Sequence, residues 1–197
     1  MKKFLSIIMS AAILLIAGCS SVQEPVTTVP LDPETITVGD VAGTIEGDRY
    51  ISHVGGVAYK LTGSYKAEWP DSDKRSILMC DYSDIDIDGP LFVWDKKASI
   101  KIDYVLDERL KADALKEHTL EEWNSSSKYP VKSIEYLDYK IGDKTCRALK
   151  SVLDNNGRDI ATLQIYYFQD NGLMALFTIT GIDYKEVDKI VKNIQLA

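Results

Sequence analysis

The sequence predicts an α+β fold: an antiparallel sheet flanked by helices. Three observations predict it. The last third of the chain divides into four strand-like runs at short separators rich in Gly, Asn and Asp. Such separators supply the positive φ that tight hairpins require. A helical stretch from Asp107 to Trp123 interrupts the strand-like sequence, and a capped amphipathic helix follows the last strand. Strands, helix, meander and helix in that order make an α+β pattern.

Taken along the chain, Val41 to Tyr65 is rich in glycine and in β-branched or aromatic residues, and Val57 to Leu61 reads as a strand after Gly55-Gly56. Ile77 to Cys80 is a short apolar run before an acidic stretch from Asp81 to Asp88. Ala98 to Leu106 alternates, with Ile100, Ile102, Tyr104 and Leu106 on one face and Lys101 and Asp103 on the other. In the helical region, Leu110, Ala114, Leu115 and Leu120 form an apolar stripe expected to face the core, and Thr119 with Glu122 resembles a capping box that starts a second helix. Ser125 to Ser127 and Pro130 end it.

The four later strands are Val131–Ile141, Lys144–Leu153, Asp159–Gln169 and Leu173–Thr180. Short turns between consecutive strands impose antiparallel pairing. Leu173 to Ile179 is almost wholly apolar, as in a strand covered on both faces. Asp183 is the expected N-cap of the last helix, with Glu186 at its third position. Tyr184, Val187, Ile190, Val191 and Ile194 make its apolar face.

The first residues carry a different signal. Lys2 and Lys3 precede an apolar run from Phe4 to Ala17, broken only by Ser6 and Ser10. That is the layout of a secretory signal, and it falls short of the roughly 20 apolar residues of a membrane-spanning helix. Ile16-Ala17-Gly18-Cys19 resembles the lipobox of bacterial lipoproteins. The resemblance implies a signal peptide at 1–18, a diacylglyceryl-modified Cys19, and the outer, extracytoplasmic face of a membrane. Residues 20–40, with Pro25, Pro30 and Pro33, read as a flexible tether, and 41–197 as one α+β domain.

Charge limits the partners. Loss of Lys2 and Lys3 reduces the 23 basic residues to 21 against 30 acidic ones, a net charge of −9. Phosphate backbones and anionic headgroups repel such a surface, so no nucleic-acid partner is expected, and membrane contact falls to the lipid on Cys19.

The sequence points to no catalytic residue, no cofactor motif and no metal set. His53 and His118 sit in no metal-ligand spacing and read as surface histidines. There is no G-x-S-x-G elbow and no phosphate-binding glycine loop. Cys80 and Cys146 are open to two readings, an exterior disulfide or buried free thiols, of which the second is favoured. Asp84, Asp86, Asp88, Gly89 and Asp95 follow the spacing of a calcium loop, but Asp95 stands where a bidentate Glu is usual and Ile85 and Ile87 suit a strand. Tyr136, Tyr139, Tyr166 and Tyr167 read as strand-packing residues, with an exposed binding row as the alternative.

Two stretches carry a family resemblance. Gly43-Thr44-Ile45-Glu46-Gly47-Asp48-Arg49-Tyr50, then Gly56 to Leu61, and the ending on Ile194-Gln195-Leu196 resemble envelope lipoproteins similar to the PsbP-like superfamily, which includes DcrB-like lipoproteins. Thr62 and Tyr65 stand where that group carries Pro and Trp. The resemblance implies an α/β/α sandwich without shared catalytic residues. The expectation is therefore a non-enzymatic accessory or binding module whose partner is an envelope protein or ligand. An envelope hydrolase and a calcium-stabilised structural module are the alternatives, and a pocket with converging Ser, His and acid groups would favour the hydrolase.

Overall fold

Tight turns organise the chain of this computed structural model, which describes residues 26, 41, 43–62, 65–68, 76–81, 98–127 and 129–197. Strand β7 (Val131–Ile141) reverses at Gly142-Asp143 into β8 (Lys144–Asn155), which reverses at Asn156-Gly157 into β9 (Arg158–Phe168). Gly142 has φ +62°, and Asn156 and Gly157 have φ +54° and +84°. Two consecutive positive φ values match the twist of a two-residue hairpin, which Asn-Gly tolerates with little strain. Gly172, at φ +82°, turns β9 into β10 (Met174–Gly181).

With β4 (Tyr65–Glu68), β5 (Ser76–Asp81) and β6 (Ser99–Val105), these four strands form, among the described residues, a seven-stranded antiparallel sheet in the order β4-β5-β6-β10-β9-β8-β7. A second antiparallel sheet has the order β1-β2-β3-β11, from β1 (Thr44–Glu46), β2 (Arg49–Ser52), β3 (Val57–Lys60) and β11 (Ile194–Leu196). With α1 (Glu108–Ala114), α2 (Leu120–Ser126) and α3 (Tyr184–Val191), the described residues make a mixed α+β fold that is mostly sheet.

Period-2 alternation sorts the side chains of the large sheet. Ile100, Ile102, Tyr104, Leu163, Ile165, Ala175, Phe177 and Ile179 share one cluster with Tyr50, Val57 and Tyr59 of the small sheet and Val187, Ile190 and Val191 of α3. The main core therefore lies between the large sheet and a layer made of α3 and the small sheet. Tyr50 and Tyr104 join hydroxyls across it at 2.6 Å. Gly55 lies against Tyr104 so closely that a Cβ there would stand 2.3 Å from the Tyr104 ring.

The outer face of the large sheet carries a smaller cluster. Leu149, Tyr166 and Met174 are buried there, with Val105, Ala114, Trp123, Ile134, Tyr136 and Leu176 packed on them. Helices α1 and α2 cover this region.

Three sequence expectations need correction. The stripe Leu110, Leu115 and Leu120 faces water, with exposures of 57%, 56% and 39%, while Lys111 of α1 is buried. Lys111 donates to the Gly172 carbonyl at 2.5 Å and pairs with Glu108, so the buried ammonium is compensated. Leu106 lies beyond the end of β6 and is exposed. Ile194 is not part of the last helix. The helix stops at Val191, and Ile194 begins β11, which pairs with β3 through Ile194 and Tyr59. The caps match the sequence reading: Thr119 and Glu122 form a full capping box, and Asp183 accepts from the Glu186 N–H at 2.9 Å.

Candidate functional site

Short helices need anchors, because seven residues form few internal hydrogen bonds. Helix α1 starts at Asp107, whose carboxylate accepts from the Arg109 N–H at 2.8 Å. The Arg109 side chain also donates to Asp107 and holds its carboxyl below the usual range. Helix α2 starts at Thr119, whose N–H holds the Glu122 carboxyl low in the same way. The Tyr136 hydroxyl on β7 accepts from the His118 N–H at 2.9 Å and from the Trp123 indole at 3.1 Å. Asn124 bonds the backbone of Val131 in both directions. The sheet thus holds α2 at several points and α1 chiefly through Lys111.

Between these helices and the sheet lies an open cavity of about 330 Å³. Val105, Met174 and Leu176 come from β6 and β10, Tyr136 and Tyr166 from β7 and β9, and Leu110, Ala114 and Trp123 from the helices. Asp113, Lys116, His118, Glu122 and Ser126 also line it. The volume falls at the low end of the range for small-molecule pockets, and the mix of apolar wall and few polar groups is typical of them.

His118 stands edge-on to Trp123, with centroids 6.2 Å apart, and its Nε2 is 3.6 Å from an Asp113 carboxylate oxygen. Arg147 sits 5.2 Å over the Tyr136 ring and reaches Glu117 at 3.4 Å. Burial pushes the Tyr166 hydroxyl up to about 12. Asp113, His118 and Ser126 share one cavity. The Ser126 hydroxyl, however, donates to the Glu122 and Trp123 carbonyls of its own helix at 3.2 and 3.3 Å. Among the described residues, no hydrogen bond joins Ser126 to His118, and a serine nucleophile needs that contact for activation.

The other sequence candidates fall elsewhere. Cys19 and the aspartates Asp84, Asp86, Asp88 and Asp95 lie outside the described residues. Among the described residues, no group of three or more His, Cys, Asp or Glu side chains could hold a metal ion. His53 is exposed in the turn between β2 and β3. Cys146 is buried as a free thiol, pushed up to about 11 by burial. It lies on β8 and Cys80 on β5, four strand spacings apart in the sheet order. At about 4.8 Å per spacing this far exceeds the roughly 7 Å that a disulfide spans between Cα atoms.

The tyrosines do not form one row. Tyr136 and Tyr166 pack in the outer-face cluster, whereas Tyr139 and Tyr167 belong to the main core. Trp123, Met174 and Leu176 escaped sequence reasoning as site residues because each reads as ordinary core. The available signal was Lys111 inside a leucine stripe on a helix too short to bury both faces.

No protein-family model matches the chain, and no curated protein matches its sequence. A solved structure from Bacteroides thetaiotaomicron VPI-5482 aligns with a TM-score of 0.46 and 13% identity, over 78% of this chain. The chain spans 49% of the length of that protein. Among the described residues, no helix is long and apolar enough to cross a membrane.

Proposed function

We propose that this chain is a lipid-anchored, non-enzymatic binding module of the cell envelope, displayed on the outer side of a membrane with its site in the cavity beneath α1 and α2. The lipobox-like Ile16 to Cys19 after an apolar run supports the anchor. The resemblance to PsbP-like and DcrB-like lipoproteins supports an accessory role. The cavity carries the reading of a binding site: an apolar wall from four strands and two helices, with Asp113, Lys116, His118 and Glu122 also lining it. It suits a small apolar or amphiphilic group, because burial of apolar surface contributes about 25 cal/mol per Å².

Two measurements test this. Cys19→Ser should abolish lipid attachment and leave the protein unprocessed or shed; equal processing and equal detergent partitioning would refute the anchor. A neutral solvatochromic dye should bind the protein saturably at one site, and Ala114→Trp should remove that binding with little loss of thermal midpoint. Dye binding that is unsaturable, or unchanged in Ala114→Trp, would refute the site.

The envelope hydrolase remains the second reading, favoured by the presence of Asp113, His118 and Ser126 on one cavity. A fluorophosphonate probe that labels Ser126 would promote it to first.

A further inference from the structure

We infer that the cavity beneath α1 and α2 takes a neutral carbonyl compound on an extended apolar chain, an ester or amide, whose oxygen accepts the Tyr136 hydroxyl proton. The site is the one read above as a binding site, and the ligand class rests on that reading. The hydrogen bonds of the cavity wall define the class. The Tyr136 oxygen accepts the His118 N–H at 2.9 Å and the Trp123 indole N–H at 3.1 Å. A phenol hydroxyl both accepts and donates. The accepting side is engaged twice, and among the described residues no acceptor meets the proton. Two incoming bonds also polarise the hydroxyl and strengthen it as a donor. Tyr136 lines the cavity, so its unspent proton calls for an acceptor there.

The charged groups of the wall already have partners. Lys116 pairs with Asp113 at 3.7 Å, and the same carboxylate oxygen is 3.6 Å from His118 Nε2. The Glu122 carboxylate accepts from the Thr119 N–H at 2.6 Å, and Ser126 donates to its own helix. An ionic head would enter without a counter-charge of its own, at a desolvation cost that a neutral head avoids. The Tyr166 hydroxyl, on the same wall, reaches Gln164 only at 3.5 Å, beyond the usual O–H···O range of about 2.5–3.0 Å. It offers a second, weakly held proton. Shape sets the rest of the ligand. Tyr136 on β7 and Val105 on β6 both line the cavity, four strand spacings apart in the sheet order, roughly 19 Å at about 4.8 Å each. A cavity of about 330 Å³ drawn out over that span is a furrow. Val105, Met174 and Leu176 form its end away from Tyr136. An extended chain covers that apolar floor while its carbonyl meets Tyr136.

The probes are methyl undecanoate, undecanoate, undecylammonium and the compact ester methyl adamantanecarboxylate. Each displaces the neutral dye from the full-length protein in a maltoside detergent, with affinities corrected for partition into protein-free detergent. Methyl undecanoate should bind saturably and at least tenfold more tightly than the other three. Its isotopically labelled carbonyl should show a lower infrared stretching frequency when bound, as a hydrogen bond to the oxygen requires. Tyr136→Phe should abolish that shift and weaken the ester about fivefold, the loss of one hydrogen bond, while dye affinity holds. Tyr166→Phe should keep the shift. An unshifted carbonyl in the wild-type protein overturns the inference, whatever the variants do to α2. So does a shift that survives Tyr136→Phe. Tighter binding of undecanoate or undecylammonium would assign the site to a charged ligand, and equal binding of the compact ester would remove the extended chain; either result overturns the inference. Saturable dye binding that methyl undecanoate cannot displace sinks the ligand class alone; unsaturable dye binding sinks the binding-site reading as well.

Discussion

The Trp123 indole donates to the Tyr136 hydroxyl at 3.1 Å, and the same oxygen accepts the His118 N–H at 2.9 Å. One side chain on β7 therefore fixes both the start of α2 and the middle of it. Tyr136→Phe keeps the ring and removes the shared acceptor. Each lost hydrogen bond costs about 1 kcal/mol, so the expected loss is about 2 kcal/mol in urea unfolding. The Trp123 indole N–H resonance should move and its exchange with solvent should quicken. An unchanged indole resonance would show that α2 is held by Asn124 and packing alone.

Lys111 plays the matching part for α1. Its ammonium reaches the Gly172 carbonyl at the turn between β9 and β10. Lys111→Met retains the stem and leaves that carbonyl without its donor, at about 1–3 kcal/mol. The effect should be local: amide exchange in α1 should accelerate more than in β9 or β10. Uniform acceleration across the sheet would mean that α1 unfolds only with the whole domain. A gain in stability would show that the desolvation of the buried ammonium outweighs its bonds.

Helix α3 belongs to the main core on different grounds. Val187, Ile190 and Val191 are buried, and Ile190 is only 4% exposed. Ile190→Ala should cost about 2–5 kcal/mol, and Ile190→Asp should leave much of the population unfolded, since whole domains hold only about 5–15 kcal/mol. Lys185→Ala on the exposed side of the same helix should stay within about 0.5 kcal/mol. Similar midpoints for Ile190→Ala and Lys185→Ala would place α3 outside the cooperative core.

The parts of the fold legible in the sequence were those set by local physics. The meander from Val131 was readable because Gly142, Asn156, Gly157 and Gly172 carry the positive φ that their residue types suggest. The Thr119 and Asp183 caps were readable because capping is decided within three residues. Strand β11 was not, because its pairing with β3 joins residues more than a hundred positions apart, and the apolar spacing of Ile190 and Ile194 equally suits a helix. The site was hidden for the same kind of reason. Which face of α1 is buried depends on where Gly172 lies, and no periodicity within α1 contains that information.

The buried hydroxyls make a prediction about alkaline pH. Tyr50 and Tyr104 are both buried and joined at 2.6 Å. Burial pushes the Tyr104 hydroxyl up to about 12 and that of Tyr50 further up. Tyr139, Tyr166 and Tyr184 are also raised to about 12, chiefly by burial. In the unfolded chain a tyrosine titrates near 10. Between about pH 10 and pH 12 the unfolded state therefore binds fewer protons than the native state, and stability falls as pH rises. The contribution is complete below about pH 10 and is lost as pH climbs through the folded values. Cys146, raised to about 11 by burial, adds the same sign one unit lower. Urea midpoints should accordingly decline steeply above pH 10, with tyrosinate absorbance appearing together with unfolding. Tyr50→Phe should lower the midpoint at pH 7 by removing the hydroxyl pair, yet flatten the decline above pH 10 because one raised group is gone. Tyrosinate absorbance that rises fully before unfolding would show that these hydroxyls ionise in place, and the buried pair would then not be what limits alkaline stability.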